Sequence, residues 1–302
     1  NTYSKMEQLL ADYDRVISMP DRAQLYTPVI RWNGFDNQYH NWLTDFIRGE
    51  FGVSYFNGQP VTQKIKTAAE WTFIINIFSI FFTFLLSIPI GVLAAKYQGQ
   101  FFDRFSSLLF FFLYSVPTFW MATMLVVFFT TSQYGMQWFS SIGLGTVASD
   151  ASFWERFWER GGHLILPVFC ITYGSIAFIS RQVRGGMLTV IRQDYVRTAR
   201  AKGLSENRVI WRHAFRNSLF PLITIFSLVL PATLTGSVIV EVIFNIPGMG
   251  RLLLNSIFTS DWPIVITVLM LIAILTMLGN LLADVLFALV DPRVKFHQDV
   301  SR

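Results

Sequence analysis

Five apolar runs, each long enough to cross a bilayer, decide what this chain can fold into. They extend from Trp71 to Ala95, from about Ser106 to Thr131, from His163 to Ser180, from Ser218 to Val240 and from Pro263 to Val290. A hydrocarbon core about 30 Å thick takes roughly 20 apolar residues of helix, because a helix satisfies its backbone N–H and C=O groups within its own segment. The first run carries no charge and exceeds that length at about 1.5 Å per residue, so it spans with some tilt. The third is the shortest. With 53% hydrophobic and 14% charged residues and 30 Phe, the chain is too apolar for an ordinary soluble domain. The expected fold is all-α, a polytopic membrane protein with five spans. Cys170 is the single cysteine, which excludes an intrachain disulfide and leaves packing as its role.

The charges orient these spans. The stretch Arg181–Arg216 holds nine of the 24 Lys and Arg residues and two acids, Asp194 and Glu206. Short loops rich in Lys and Arg stay in the cytoplasm. Alternation then places Lys96, Arg104 and the tail with Arg293, Lys295 and Arg302 inside, and the connections 132–162 and 241–262 outside. Trp71 and Trp262 begin their spans at the outer interface, where amphipathic indoles are favoured. The chain divides into an extracytoplasmic segment 1–70, a transmembrane domain 71–290 with its basic loop at 181–217, and a cytoplasmic tail 291–302. Aromatic residues including Tyr39, Trp42 and Phe46 suit the first segment to a small helical cap on the outer mouth. Nothing in residues 1–70 carries them across a membrane, so a sixth, N-terminal span is expected upstream of Asn1.

No catalytic constellation is present. The sequence contains no GxxxxGK[ST] loop, no HExxH and no cysteine pair, and His40, His163, His213 and His297 are scattered. Neither catalysis nor a metal site is expected. Within the five runs Asp284 is the one Asp, Glu, Lys or Arg residue, with Asn280 one turn earlier on the same face. The pair reads either as an inter-helix hydrogen bond or as part of a pathway. Pro89, Pro117, Pro167, Pro221 and Pro231 also lie in the runs, as kinks that shape a pathway or as the proline ordinarily tolerated in membrane helices. Phe153, Trp154, Phe157 and Trp158 form an aromatic stripe that suits an interfacial helix or a clamp.

The basic loop reads as two short helices. The first runs from about Met187 to Lys202 and closes at Gly203, the residue type that adopts the left-handed conformation there. Ser205 is then an N-cap, Glu206 faces the positive start of the second helix, and that helix continues through Trp211 and Phe215 into the fourth span. A hairpin tethered to spans at both ends has little freedom to enter a nucleic-acid groove. Anionic membrane lipid remains a plain partner for its charge.

The stretch DYVRTARAKGLSENRVIWRHAFRNSLFPLIT, Asp194 to Thr224, resembles the coupling loop of ABC importer permeases, in particular the dipeptide/oligopeptide branch. The general superfamily pattern, Glu-Ala-Ala, three residues, Gly, nine residues, Ile, one residue, Leu-Pro, places Arg197, Thr198 and Ala199 at its first three positions and His213, Phe215 and Arg216 at its last three. Of these, Ala199 matches, as does Gly203. The peptide-branch form R-T-A-R-A-K-G-L followed by H-A-x-R-N fits well from Arg197 to Leu204 and from His213 to Asn217. FGVSYFNGQPV (Phe51–Val61), IPIGVLAA (Ile88–Ala95), VEVIFNIPGMGRLL (Val240–Leu253) and LVDPRV (Leu289–Val294) are similar to further segments of the same permeases, in the same order.

The resemblance implies a type I ABC importer permease fold in a bacterial inner membrane and a non-catalytic subunit that binds no cofactor. Its implied partners are a second homologous permease, two ABC ATPase subunits carrying ATP-Mg, an extracytoplasmic substrate-binding protein and a peptide substrate. Arg197, Thr198, Ala199, Arg200, Lys202, Gly203, Leu204 and Arg208 would engage the ATPases, with Gly203 and Leu204 as the turn seated in a groove. Phe244, Pro247, Gly248 and Gly250 would form an external gate, or an ordinary turn-rich connection. Two other function classes stay open, an ion-coupled secondary carrier and a receptor or assembly subunit without transport.

Overall fold

The computed structural model describes residues 37–131, 135–139, 151–219 and 236–290, with single positions at 10, 11, 13, 14, 17, 34, 143, 222 and 225. Among the described residues the regular elements are helical, and the β geometry is one isolated bridge between Val53 and Pro60. Residues Asn1–Glu50 and Phe51–Arg302 form separate compact units. In the first unit α1 (Gln38–Arg48) starts where Asn37 Oδ1 accepts from the His40 N–H at 2.9 Å and ends at Gly49, whose φ of 81° closes the helix.

The second unit is built on two long helices. α2 spans Val61–Lys96 and α5 spans Phe153–Ile191, 36 and 39 residues, so both are longer than a bilayer core at about 1.5 Å per residue. α5 begins with a capping box in which Ser152 and Glu155 each satisfy the other's backbone N–H. The helices meet along small side chains. Ser79, Thr83, Ser87 and Gly91 recur every four residues on α2 and are all buried. A Cβ on Gly91 would stand 2.6 Å from the Ser180 carbonyl oxygen of α5 and 2.7 Å from Val183 Cβ, so glycine is required at this approach. Ser180 Oγ donates to the Ser87 carbonyl at 3.3 Å just beside it. In lipid, where apolar surface alone gives no drive to associate, such close backbone packing holds helices together.

The structure corrects three expectations about the spans. The run 106–131 is not one continuous helix. It forms α3 (Phe101–Ser115) and α4 (Thr118–Thr130), bent by 90° at the break. Pro117 lacks an N–H and pushes Val116 out of the helical region, to φ −82° and ψ 120°. The Val116 carbonyl left over accepts from Tyr173 Oη of α5 at 2.9 Å, so the break is satisfied at its depth. Secondly, the run 163–180 is only the middle of α5, whose first turns carry the aromatic stripe and whose last turns take in Met187. Thirdly, the helix expected over 187–202 is divided. Gln193 is extended at φ −77° and ψ 152°, and α6 covers only Asp194–Ala201. The expected span 218–240 lies largely outside the described residues. α8 (Val238–Ile243) and α9 (Met249–Phe258) follow it, and α10 (Trp262–Val290) covers the last apolar run. Among the described residues, three helices are long and apolar enough to cross a membrane, or four if the bent pair counts as one.

Three apolar clusters lie along α2. Val61, Ile65 and Ala68 pack with Met249 of α9 and Ile264 and Val268 of α10. Trp71 and Ile75 pack with Ala122, Leu164, Cys170, Val240, Phe244 and Ile246. Val92 and Ala95 pack with Val183, Met187 and Val190 at the end of α5 and with the basic hairpin.

A part-buried ion pair fixes α3 against α5. Arg184 Nε and Nη2 donate to the two carboxylate oxygens of Asp103 at 2.6 and 2.8 Å, and the Gly99 N–H adds a bond at 2.9 Å. The Asp103 side chain is 6% exposed. Replacing Asp103 and Arg184 by alanine, singly and together, is expected to show a coupling of about 0.5–3 kcal/mol in the thermal stability of the purified protein, the double variant losing less than the sum of the singles. Strict additivity would show that the pair does not act as a unit.

Candidate functional site: the basic hairpin and the caged loop

The hairpin consists of α6, a turn at Lys202–Ser205, α7 (Glu206–Arg208) and a π-helical stretch Val209–Phe215. π-Helical turns are rare and are frequent at functional sites. Gly203 has a φ of 77°, which side-chain-bearing residues rarely adopt, and its N–H donates to the Arg200 carbonyl at 2.9 Å. Ser205 stands at the N-cap position but accepts no capping bond through its side chain.

One side of the hairpin is apolar and closed. Val196, Ala199, Val209, Ile210 and Ala214 are buried in the cluster that contains the ends of α2 and α5, and Leu204 packs against it. The other side is charged and open, with Arg197, Thr198, Arg200, Lys202 and Arg208 all exposed. The eight positions picked out by the resemblance are thus sorted. Ala199 and Leu204 hold the hairpin down, Gly203 makes its turn, and the five polar side chains face outward.

Polar contacts brace the two limbs. Arg200 donates to both carboxylate oxygens of Glu206 at 3.1 and 2.8 Å across the turn. That hydrogen-bonded guanidinium holds the Glu206 carboxyl below the usual carboxylate range. Asn217 Nδ2 donates to Tyr195 Oη at 2.9 Å, and Lys96 Nζ, at the end of α2, donates to Asn207 Oδ1 at 3.0 Å. The hairpin is therefore an outward-facing cationic surface fastened to two long helices at once.

At the other end of α2 lies Phe244–Gly250, where the sequence suggested a gate. Phe244, Gly248 and Gly250 are buried and Pro247 is exposed. Glu241, which sequence reasoning passed over, organises this loop. Its side chain is buried, with the residue 2% exposed. Oε1 accepts from Thr72 Oγ1 of α2 at 2.9 Å and Oε2 from the Arg251 N–H at 2.8 Å, while the Met249 N–H donates to Thr72 Oγ1 at 2.8 Å. The carboxylate thus occupies the start of α9, where unpaired N–H groups favour a negative charge. Glycines enclose it. A Cβ on Gly248 would fall within 2.6 Å of its carboxyl atoms, and one on Gly236 would also strike it. The sequence held a weak signal, an acid directly beside an apolar run with Gly236, Gly248 and Gly250 around it.

A second buried acid anchors the start of α10. Asp261 accepts from Ser54 Oγ and from the Tyr55 N–H, with Lys64 Nζ 3.7 Å away. Asn280 and Asp284 are both exposed on α10. Among the described residues no group of three His, Cys, Asp or Glu side chains is placed to hold a metal.

Comparisons with known proteins show what the chain is similar to. Residues 87–296 match the family described as binding-protein-dependent transport system inner membrane component. The chain is 37% identical over 288 residues to the oligopeptide transport system permease protein AppB of Bacillus subtilis, covering 94% of this chain and 88% of that protein. It is 32% identical over 301 residues to the dipeptide transport system permease protein DppB of Escherichia coli K12, covering 93% and 87%. Among solved structures, the MetNI methionine ABC transporter in an inward-facing conformation aligns with a TM-score of 0.55 at 20% identity, over 74% of this chain and 94% of that one. That likeness supports the ABC transporter permease fold.

Proposed function

We propose that this chain, which belongs to the family of binding-protein-dependent transport system inner membrane components, is the transmembrane permease subunit of an ATP-driven importer of peptides. The observation that carries this reading is the hairpin. It presents Arg197, Arg200, Lys202 and Arg208 outward on a turn set by Gly203, and its buried side is continuous with the ends of α2 and α5. A chain without a catalytic constellation needs work delivered from outside, and a fastened surface of this kind receives it.

In this reading two ABC ATPase subunits, which bind ATP-Mg, receive the hairpins of this chain and of a second, homologous permease. Their closure displaces the hairpin, and the rigid core beneath it passes the displacement to α2 and α5 as alternating access. The membrane is the bacterial inner membrane, with the hairpin and C-terminus cytoplasmic. The caged loop at Phe244–Gly250 and residues 1–70 then lie outside, where a substrate-binding protein delivers the peptide and the loop gates its entry. The relatives named for oligopeptide and dipeptide transport support peptides as the cargo.

Purification of the tagged chain from its native membrane should bring down two ATPases and a second permease. Vesicles containing that complex should take up peptide only with ATP and the binding protein present. Uptake by this chain alone, driven by an ion gradient, would make it a secondary carrier. A complex that hydrolyses no ATP and moves no peptide would make it a receptor or assembly subunit.

A further inference from the structure

A polar cleft of about 390 Å³ lies where the first turns of α2 meet α9, within the ~300–1,000 Å³ range of small-ligand clefts. Val61, Ile65 and Ala68 of α2 pack with Met249 and Leu252 of α9 and hold the two helices together. The cleft is lined at helical spacing by Gln63, Lys64 and Thr67 of α2, by Arg251 and Asn255 of α9, and by Gly248 of the caged loop. No carboxylate is among the described residues that line it. Lys64 Nζ is already engaged, donating to Ser54 Oγ at 3.0 Å with Asp261 3.7 Å away. Arg251 is half-buried, and among the described residues its guanidinium makes no hydrogen bond or ion pair. Glu241 lies against Gly248 and balances part of that charge, but it takes none of the guanidinium's hydrogen bonds. Its carboxylate accepts from the Thr72 hydroxyl and from the backbone N–H of Arg251 instead. The five guanidinium N–H donors are thus open to a ligand.

The lining selects the ligand. Lys64 and Arg251 disfavour a cation, and an apolar group that displaced water would leave the amides of Gln63 and Asn255 without partners. A planar carboxylate accepts two parallel N–H bonds from a guanidinium fork. Side-chain amides both donate and accept, which is what the peptide groups next to a C-terminal carboxylate require. Gln63 and Thr67 stand about one to two turns before Trp71, so in the proposed topology the cleft opens on the outer side, beside the loop that gates entry.

We propose that this cleft is a subsite for the carboxyl end of the peptide cargo, with the C-terminal carboxylate on the Arg251 guanidinium and the last peptide groups against Gln63 and Asn255. The assignment rests on the peptide-importer reading and adds to it which end of the peptide this chain holds.

The test uses the assembled complex in vesicles, with its binding protein supplied pre-loaded with a tripeptide or with the same tripeptide amidated at its C-terminus. The native complex should take up the free acid faster. Arg251→Gln leaves the backbone N–H on Glu241 in place, and it should lower uptake of the free acid roughly ten-fold and that of the amide far less, as expected for hydrogen bonds to a charged group. Arg251→Lys should keep part of the difference, because an ammonium supplies the charge without the fork. Equal losses for the two peptides would overturn the subsite and point to a structural contact or to an acidic side chain of the binding protein. A second readout does not depend on rates. Asn255→Cys should react during turnover with a peptide that bears a thiol-reactive group on its last side chain, and not with one that bears it on its first; any other pattern of labelling overturns the assignment. Absence of ATP-driven uptake of either peptide by the native complex would overturn the importer reading itself, whereas uptake that does not distinguish the two peptides overturns the subsite alone.

Discussion

Replacement of Gly203 by proline is expected to bring peptide-stimulated ATP hydrolysis by the assembled complex down to its unstimulated rate, while the chain still inserts and assembles. The native φ of 77° is closed to proline, whose ring fixes φ near −65°, and the Gly203 N–H that donates to the Arg200 carbonyl would be lost. The turn would have to rebuild, and with it the clasp between Arg200 and Glu206. Gly203→Ala separates conformation from bulk. A Cβ at this position meets open space, so alanine carries only the left-handed strain of about 1–2 kcal/mol and should keep partial stimulation. Normal stimulation in the proline variant would remove the hairpin from energy coupling. Insertion failure would be seen directly as absence from the membrane fraction.

The second large effect is expected at the caged carboxylate. Glu241→Ala leaves the Arg251 N–H without its acceptor and takes the Thr72 hydroxyl's acceptor away, at about 1–3 kcal/mol for each buried group left unsatisfied. Gly248→Ala pushes a methyl into a carboxyl group held from two sides, an overpacking that typically costs about 1–3 kcal/mol. Both should lower the denaturation midpoint of the purified complex. The informative result is their combination. The methyl's main obstacle is the carboxylate itself, so Gly248→Ala should be much milder in the Glu241→Ala background than in the native one. Equal effects in both backgrounds would show that Glu241 does not fill the cage.

These two sites differ in how far the sequence disclosed them. The turn at Gly203 was legible from residue type, because a glycine after a helical run and before a capping residue has one common use. Glu241 was not, because its partners Thr72 and Arg251 lie in separate segments and a single acid beside an apolar run looks like an interface charge. Asp103 was missed for a similar reason, since Arg184 lies 81 residues away. Hydropathy located the apolar runs behind α2 and α10 but misjudged the ends of α5. Arg181 and Arg184 interrupt its apolarity, while its backbone bonding continues to Ile191. The break at Pro117 also lay beyond hydropathy, since Pro89 and Pro167 sit inside unbroken helices. Tyr173, supplied by α5, satisfies the open carbonyl at the break that occurs. The small-residue seam on α2 was hidden because serine and threonine in an apolar helix do not lower its apolarity enough to mark a face.

α2 is gripped at two levels, by the Thr72 bond to Glu241 and by Val92 and Ala95 in the core under the hairpin. Those grips are about 30 Å apart at 1.5 Å per residue. If α2 pivots on its seam with α5 at Thr83, midway between the grips, it acts as a seesaw. A tilt of about ten degrees about its midpoint would carry the two ends roughly 2.6 Å in opposite directions. In the proposed topology, motion imposed at the hairpin would then arrive at the caged loop in antiphase, and the two faces of the membrane would need no separate signal to avoid being open together.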